Sequence, residues 1–336
     1  MSRRALVIVA SALALCGVLA GCGGSDPDTI VLYNGQHPQL TTALVAAFTK
    51  QTGIHVSVRT GDGIILADQI LQEGRASPAD VYLTENSPEL MNLEAHHLLT
   101  TLPSSIVDQI PARDNSPARD WVGIALRVSS LAYDPARVSQ SQLPTSVLEL
   151  AQPEWKGRVA IAPTDSDFPP LVGALIAADG RGAAASWLAG LKRNAQTYQD
   201  EEAVVAAVNR GDVAAGIVNQ YYWYRLRLEL GAGATRSRLY YFPHHDVGSI
   251  ENVAGAAVLA SSRHKALAQR FVAFMVSAAG QQILAHSYDY EYPARVGIAP
   301  NPALPPLGSI SPATLPVTAL GTDQEAVQLI QQAGLA

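Results

Sequence analysis

Two adjacent tyrosines carry the clearest chemical potential in this chain. Tyr221 and Tyr222 lie within residues 218–224, between an apolar strand-like run and an amphipathic helix. Two phenolates are strong ligands for ferric iron, a small, hard cation that favours anionic oxygen. Far upstream, His37 and Glu85 each follow a short strand-like run, so an imidazole and a carboxylate could complete a cluster with the phenols.

The charges of these four residues would suit a trivalent metal. One glutamate and two tyrosinates carry three negative charges, and a neutral histidine adds none, so the ion could occupy a partly dry cleft without uncompensated charge. A free tyrosine has a pKa of about 10, so the metal must displace both phenolic protons. Acid should therefore promote release of the metal.

Each candidate also has an ordinary structural explanation. A tyrosine-rich run commonly packs in a core or an interface, and His37, which precedes Pro38, could cap a helix. Glu85 could simply begin a helix, where an acidic side chain is favoured. Only their joint occurrence at strand ends favours a metal site.

Two histidine pairs are rival metal ligands. The sequence His244-His245-Asp246 could bind zinc or copper. We predict a strand there, in which adjacent side chains point to opposite faces, so joint chelation is disfavoured. The pair His96-His97 is the weaker rival.

Composition predicts a globular protein of about two domains. The chain has 336 residues, 48% of them hydrophobic and 15% charged. Its net charge of −6 argues against nucleic acid as a partner and suits a protein that attracts cations.

The N-terminus predicts export. Two arginines precede an apolar run over residues 5–18 that is too short to span a membrane comfortably. Residues 19–22, Leu-Ala-Gly-Cys, resemble the lipobox of bacterial lipoproteins. We therefore expect a signal peptide at 1–21 and a linker at 22–28, lipidated at Cys22. An uncleaved single-pass anchor is the alternative, and both interpretations leave the domain outside the membrane.

Loss of the signal peptide would also remove Cys16, and acylation would occupy Cys22. The mature domain would then have no thiol for a disulfide, a thiolate metal site or a nucleophile. The chain also lacks a Gly-x-Ser-x-Gly elbow, a His-Glu-x-x-His helix and a phosphate-binding glycine loop. We therefore expect a protein that is not an enzyme.

The first half of the chain predicts a βαβαβ unit. Strands are expected at residues 30–33, 56–58 and 80–84, with helices between them. Such a unit forms a mainly parallel sheet with right-handed crossovers. Open α/β sheets bind ligands at the carboxyl ends of their strands, which is where His37 and Glu85 lie.

The second half repeats this pattern without a detectable sequence repeat. The predicted strands are 159–162, 213–218 and 253–259, and the predicted helices are 171–178, 183–191, 201–209, 223–230, 266–283 and 323–332. Tyr221 and Tyr222 would precede helix 223–230, whose dipole should favour phenolate. Because consecutive residues inside a helix diverge by about 100°, we expect the two rings to converge only where the backbone is still leaving a loop.

Several motifs give the chain a family resemblance. They are Tyr-Asn-Gly-Gln-His at 33–37, Pro-Ala-Asp-Val-Tyr-Leu-Thr-Glu at 78–85, Trp-Lys-Gly-Arg at 155–158 and Asn-Gln-Tyr-Tyr-Trp-Tyr at 219–224. From about Thr29 to its end, the chain resembles the bacterial periplasmic ferric-ion-binding proteins, the solute receptors of iron ABC transporters.

The resemblance implies an α/β, two-lobed periplasmic-binding-protein fold of type II, with a mainly parallel sheet flanked by helices in each lobe and a hinge between the lobes. The N-lobe would comprise residues 29–110, 116–129 and 252–302, and the C-lobe would comprise residues 111–115, 130–251 and 303–336. His37 and Glu85 from one lobe and Tyr221 and Tyr222 from the other would bind Fe³⁺. The protein would be a monomer in the periplasm or on the outer face of the cytoplasmic membrane, with an ABC permease and its ATPase as partners.

The chain departs from the family where many members hold a synergistic anion beside the iron. Asn219 matches an anion-contacting asparagine, and Asn86 and Arg127 are further candidate donors, although Arg127 could equally be a structural ion-pair residue. However, the loop that should offer a serine-glycine turn contains acids, and Glu201 replaces an asparagine. The loop residues are Asp165, Ser166 and Asp167.

Extra carboxylates repel phosphate and remove hydrogen-bond donors. We therefore expect that phosphate is not the partner anion, and that water, another anion or one of these acids completes the coordination. An alternative keeps the fold but changes the cargo to a sugar, polyamine or organic anion. That alternative predicts stacking by the tyrosines and no metal dependence.

Overall fold

The computed structural model describes residues 29–313 and 315–336. The predicted signal peptide, the linker 22–28 and the lipid attachment at Cys22 lie outside these residues. Within the described part of the chain, no helix combines the length and apolar character needed to cross a membrane.

The described residues form ten strands and eleven α-helices. The strands are β1 (Thr29–Gly35), β2 (His55–Thr60), β3 (Val81–Thr84), β4 (Trp121–Tyr133), β5 (Val159–Ile161), β6 (Ala195–Thr197), β7 (Ala215–Asn219), β8 (Arg238–Tyr240), β9 (Glu251–Val258) and β10 (Tyr292–Pro293). The helices are α1 (Pro38–Thr52), α2 (Gly63–Glu73), α3 (Ser87–Ala95), α4 (Ser104–Val107), α5 (Phe168–Asp179), α6 (Arg181–Asn194), α7 (Glu201–Arg210), α8 (Gln220–Leu230), α9 (Lys265–Val276), α10 (Ala278–Ala285) and α11 (Gln324–Gln332).

The strands follow the order β2-β1-β3-β9-β4-β7-β5-β6, and β8 and β10 also pair with β4. Pairing is parallel within β2-β1-β3 and within β7-β5-β6. The strand β9 is antiparallel to β3 and β4, and β4 is antiparallel to β7. The sheet is therefore mixed, and the parallel arrangement predicted from the sequence holds within the two outer groups of strands.

The strand β4 connects two hydrophobic cores. It pairs with β9 as far as Val128 and with β7 from Ser129 onward. Its first half contributes Trp121 and Ile124 to a core with α1, α3, α9 and β9, whereas Leu131 lies in a second core with α5, α6 and α11. The fold thus consists of two lobes, and flanking helices cover both parts of the sheet.

The first helix forms as its sequence predicts. Pro38 lies in its first turn, where the fixed φ of proline suits a helix, and Gly53 ends the helix in the left-handed conformation with φ 74°. The residues Leu40, Leu44 and Phe48 recur at helical spacing and are buried. The packing of these residues orients α1, and it therefore positions His37, which lies between β1 and the helix.

The helix predicted over residues 266–283 is wrong as a single element, because the chain breaks at Ser277. Ser277 adopts an extended backbone, and its hydroxyl accepts a hydrogen bond from the Gly280 N–H at 3.2 Å. A Cβ on Gly280 would lie 2.2 Å from the Phe274 carbonyl oxygen. A serine cap and a close backbone approach therefore divide this apolar segment into α9 and α10.

Candidate metal centre

The four predicted ligands lie together. His37 follows β1 and occupies the position just before α1, Glu85 lies between β3 and α3, and the two tyrosines follow β7. His37 Nδ1 is 3.2 Å from Glu85 Oε1, and the Tyr221 hydroxyl donates to Glu85 Oε2 at 3.1 Å. The His37 and Tyr221 rings meet edge to face with centroids 5.0 Å apart. Three strand ends thus deliver the imidazole, the carboxylate and the phenols to one place.

The tyrosine pair lies inside the helix rather than before it. Helix α8 begins at Gln220, so Tyr221 and Tyr222 occupy its first turn, and the expected loop position is wrong. The rings nevertheless converge, with centroids 4.2 Å apart and planes tilted by 38°. Long phenolic side chains can bend toward each other beyond the helix surface, so the divergence of their Cα positions does not prevent convergence.

Asp167 lies at the centre of the cluster. It precedes α5, and its side chain is 1% exposed. Its Oδ2 accepts hydrogen bonds from the hydroxyls of Tyr221 at 2.5 Å and Tyr222 at 3.4 Å. Its Oδ1 is 3.1 Å from the Arg127 guanidinium. One carboxylate therefore joins both phenols to a buried cation.

Arg127 contacts several groups of the site from β4. It lies in β4 and is fully buried. Besides pairing with Asp167, it donates hydrogen bonds to the Glu85 backbone carbonyl and to Asn86 Oδ1. Burial alone would lower the pKa of Arg127, but Asp167 and the neighbouring acids raise it above its usual value. Of the two roles considered for Arg127, the structure shows the ion pair.

Asn86 links Arg127 to the rest of the buried network. Its Oδ1 also accepts a hydrogen bond from Asn252 Nδ2 at 2.9 Å, and its Nδ2 approaches Asp167 at 3.5 Å. Asn86 is 1% exposed. Its amide is thus already used by protein partners on both sides.

Two other residues predicted to lie at an anion site, Asp165 and Glu201, accept hydrogen bonds from backbone N–H groups. Asp165 accepts the N–H groups of Asp167 at 3.1 Å and Glu201 at 3.0 Å. Glu201 in turn accepts the Asn219 N–H at 2.5 Å and its side-chain amide at 3.4 Å. Ser166 lies half-buried between the two aspartates and takes no part in these bonds. Asp165 and Glu201 therefore shape the loop, whereas Asp167 faces the phenols.

Burial sets the proton affinities of the cluster. It raises the pKa of Tyr221 and of Tyr222 well above the usual value, and the charge of Asp167 raises both further. The helix dipole was expected to favour phenolate, but burial and the carboxylates act in the opposite direction. Burial, then Asp167, raises the pKa of Glu85 as well. Burial, then Arg225, lowers the pKa of His37 to about 3, so its imidazole is neutral at neutral pH.

This arrangement can exchange protons for a metal ion. In the metal-free protein the phenolic O–H groups donate hydrogen bonds to carboxylates. A small trivalent cation could replace these protons and bind the phenolic and carboxylate oxygens more strongly. Among the described residues, no group of three or more His, Cys, Asp or Glu side chains could hold a metal by itself.

The rival histidines lie elsewhere. His244 and His245 occupy a turn with φ of 61° and 56°, so the predicted strand is wrong at this point. His245 Nδ1 lies 3.1 Å from the Pro312 carbonyl oxygen. His96 Nδ1 lies 2.8 Å from the Asn92 carbonyl oxygen, at the end of α3.

Sequence reasoning missed two buried residues beside the cluster. Gln36 contacts His37 directly, and Glu291 contacts Gln36 from a segment 255 residues away. The position of Gln36 next to His37 was a usable signal. Nothing in the sequence around Glu291 marks it as a neighbour of the site.

The chain is similar to known proteins over most of its length. Residues 30–288 match the family model described as bacterial extracellular solute-binding protein. The chain belongs to this family. It is 39% identical over 311 residues to an Fe(3+)-binding periplasmic protein of Serratia marcescens, covering 93% of this chain and 92% of that protein. It is 36% identical to the major ferric iron-binding protein of Neisseria meningitidis, covering 91% and 93%.

Solved structures agree with these relatives. Iron-bound HitA from Pseudomonas aeruginosa is 41% identical, with a TM-score of 0.87 over 91% of this chain and 99% of that one. A Trichodesmium protein solved with iron and citrate ligands is 29% identical, with a TM-score of 0.80 over 92% and 100%. The two-lobed fold of this solute-binding protein is thus shared with iron-bound structures.

Proposed function

We propose that this solute-binding protein captures ferric iron between its lobes and delivers it to an ABC importer. The observation that carries the proposal is the convergence of His37, Glu85, Tyr221 and Tyr222 in one buried cluster. The iron-binding relatives at 36–39% identity support the same cargo.

We also propose that Asp167 completes the coordination in place of an exogenous anion. It already contacts both phenols and Arg127, which are the groups that an added anion would have to reach. With Asp167 included, four anionic groups and the Arg127 cation leave three negative charges, equal and opposite to ferric iron. Phosphate would add negative charge to a balanced site, so we propose that it is not the partner anion.

Capture would proceed by closure of a hinge. The N-lobe (29–110, 116–129 and 252–302) would supply His37 and Glu85, and the C-lobe (111–115, 130–251 and 303–336) would supply the phenols and Asp167. The two cores support this division, apart from Leu304 and Val317, which pack in the first core. Iron would favour the closed state because only that state joins both sets of ligands.

The remaining assignments follow from the cargo. The partners would be a membrane permease and its ATPase, and the receptor would act as a monomer that performs no catalysis. The protein would be exported and held at the outer face of the membrane by lipid on Cys22.

A titration of the soluble domain tests the cargo. Ferric tyrosinate absorbs visible light, so adding ferric iron should produce a coloured 1:1 complex in the wild-type protein. Tyr221→Phe/Tyr222→Phe should stay colourless and bind far more weakly. As a control, Tyr198→Phe removes the hydroxyl of a half-buried tyrosine, which among the described residues bonds only to Gln196, and it should leave the colour unchanged. A colourless wild-type protein would contradict the proposal and favour an organic solute.

A further inference from the structure

Gln36 forms a buried bridge between His37 and Glu291. The side chain is 2% exposed, and its Oε1 accepts the His37 backbone N–H at 2.7 Å. The same oxygen is 2.7 Å from His37 Nδ1. On its other side, Gln36 Nε2 donates to Glu291 Oε2 at 3.1 Å. Both ends of the amide therefore have partners.

These partners fix the direction of the amide. A backbone N–H can only donate, so the Gln36 atom that faces it must be the oxygen. The Glu291 side chain has an oxygen that can accept a hydrogen bond in either protonation state, so the amide nitrogen that then faces it also has a partner. Glu291 is fully buried, and Arg127 lies 4.0 Å from it. Turning the amide over would place its NH₂ group against the His37 backbone N–H, so that two donors would face each other.

The amide direction determines which ring nitrogen of His37 carries hydrogen. An oxygen that faces Nδ1 at 2.7 Å requires Nδ1–H, and in a neutral imidazole this leaves the lone pair on Nε2. Glu85 Oε1 is a second acceptor beside Nδ1, at 3.2 Å. If Glu85 turns to a metal, Gln36 is the acceptor that remains.

We propose that Gln36, anchored by Glu291, is a positioning residue that holds His37 in the Nδ1–H tautomer and presents Nε2 to the iron. The use of Nε2 as a ligand rests on the function proposed above, whereas the tautomer is a property of the metal-free protein. Groups that orient a ligating histidine typically change metal affinity by about 10- to 100-fold when they are removed.

The tautomer can be measured without metal. Two-dimensional ¹H–¹⁵N NMR of the imidazoles distinguishes Nδ1–H from Nε2–H, and a His37→Asn spectrum assigns the resonance. Because Glu85 is a second acceptor, four proteins are compared: wild type, Glu85→Leu, Gln36→Met and the double variant. We expect Nδ1–H in the first three and a mixture of tautomers in the double variant. Loss of Nδ1–H in Glu85→Leu alone, or its retention in the double variant, would overturn the assignment.

Iron binding provides the second arm. Gln36→Met should bind ferric iron about 10- to 100-fold more weakly than wild type. The exchange Gln36→Glu/Glu291→Gln keeps an acceptor at Nδ1 and a donor facing it, with the same total charge, and should restore affinity. Wild-type affinity in Gln36→Met, or an exchange variant that has the wild-type circular dichroism spectrum but stays as weak as Gln36→Met, would overturn the positioning role.

The two arms separate this inference from the proposed cargo. If the wild-type protein binds no iron, the cargo is wrong, and the NMR comparison still decides the tautomer. If the wild-type protein binds iron but Gln36→Met is unaffected, only the role of Gln36 fails.

Discussion

Replacing Asp167 by alanine should convert an anion-independent iron site into one that depends on added phosphate. In the structure, Asp167 occupies the space between the phenols and Arg127. Alanine removes the carboxylate and leaves Arg127 buried without this partner. A phosphate could then enter, pair with the guanidinium and contribute oxygens to the metal.

The size of the effect follows from the burial of the pair. Both side chains are at most 1% exposed, and removal of one partner of a buried ion pair costs about 3–5 kcal/mol. At roughly 2–4 °C per kcal/mol for domains of 150–250 residues, the metal-free variant should melt about 6–20 °C below wild type. Binding is weakened only by the interaction that Asp167 gains with the iron, and a loss of about 3 kcal/mol there corresponds to roughly 100-fold weaker binding.

The assay is iron titration with and without phosphate, followed by visible absorbance and thermal melting. Asp179→Ala is a matched control, because Asp179 is exposed at the opposite end of α5 and should change stability by less than about 0.5 kcal/mol. We expect phosphate to leave wild type and this control unchanged and to recover binding by Asp167→Ala.

The reasoning would be refuted by a wild-type protein whose iron affinity rises strongly with phosphate. It would also be refuted if Asp167→Ala bound iron as tightly as wild type in phosphate-free buffer. The first result would place the completing anion outside the protein, and the second would show that Asp167 does not contribute to iron binding.

Three further outcomes are expected. The metal-free protein should melt at a lower temperature at pH 8 than at pH 6.5, because burial raises the pKa of Glu89 to about 7 and of Glu291 to about 8, so the folded state holds protons that the unfolded state releases. In a pH series of melting curves, Glu291→Gln should reduce this difference. A higher melting temperature at pH 8 would contradict the prediction. Tyr222→Phe should weaken both the visible band and the compaction on iron addition seen by small-angle scattering, and full compaction with the normal band would count against Tyr222 as a ligand. Cys22→Ser should move the exported protein from the membrane fraction to the soluble fraction, and continued membrane association would contradict lipid anchoring at Cys22.

Much of the fold follows from local sequence pattern. Leu40, Leu44 and Phe48 recur at helical spacing, and Gly53 supplies the left-handed end, so α1 could be predicted residue by residue. The break at Ser277 could not, because the segment from α9 to α10 is apolar at helical spacing throughout. The serine cap and the close packing of Gly280 show only when the two helices are placed together.

His37 and Glu85 were predictable as neighbours because they follow β1 and β3, which are parallel and end at one edge of the sheet. The tyrosines follow β7, which is antiparallel to β4 in the second half of the sheet, so only their chemistry pointed to the same site. The different roles of the acidic residues were not predictable. Asp165 and Asp167 are two residues apart and chemically identical, yet one holds backbone N–H groups and the other joins the phenols to Arg127. Loop geometry decides this difference. The contact of Glu291 with Gln36 is likewise invisible in sequence, because it joins segments 255 residues apart.

The most direct test of the account is the structure of the protein loaded with ferric iron in phosphate-free buffer, with the metal located by anomalous scattering at the iron edge. The account predicts one iron bound by His37 Nε2, Glu85, both phenolic oxygens and Asp167. Iron at another position, or iron joined to an exogenous anion while Asp167 stays paired only with Arg127, would contradict it.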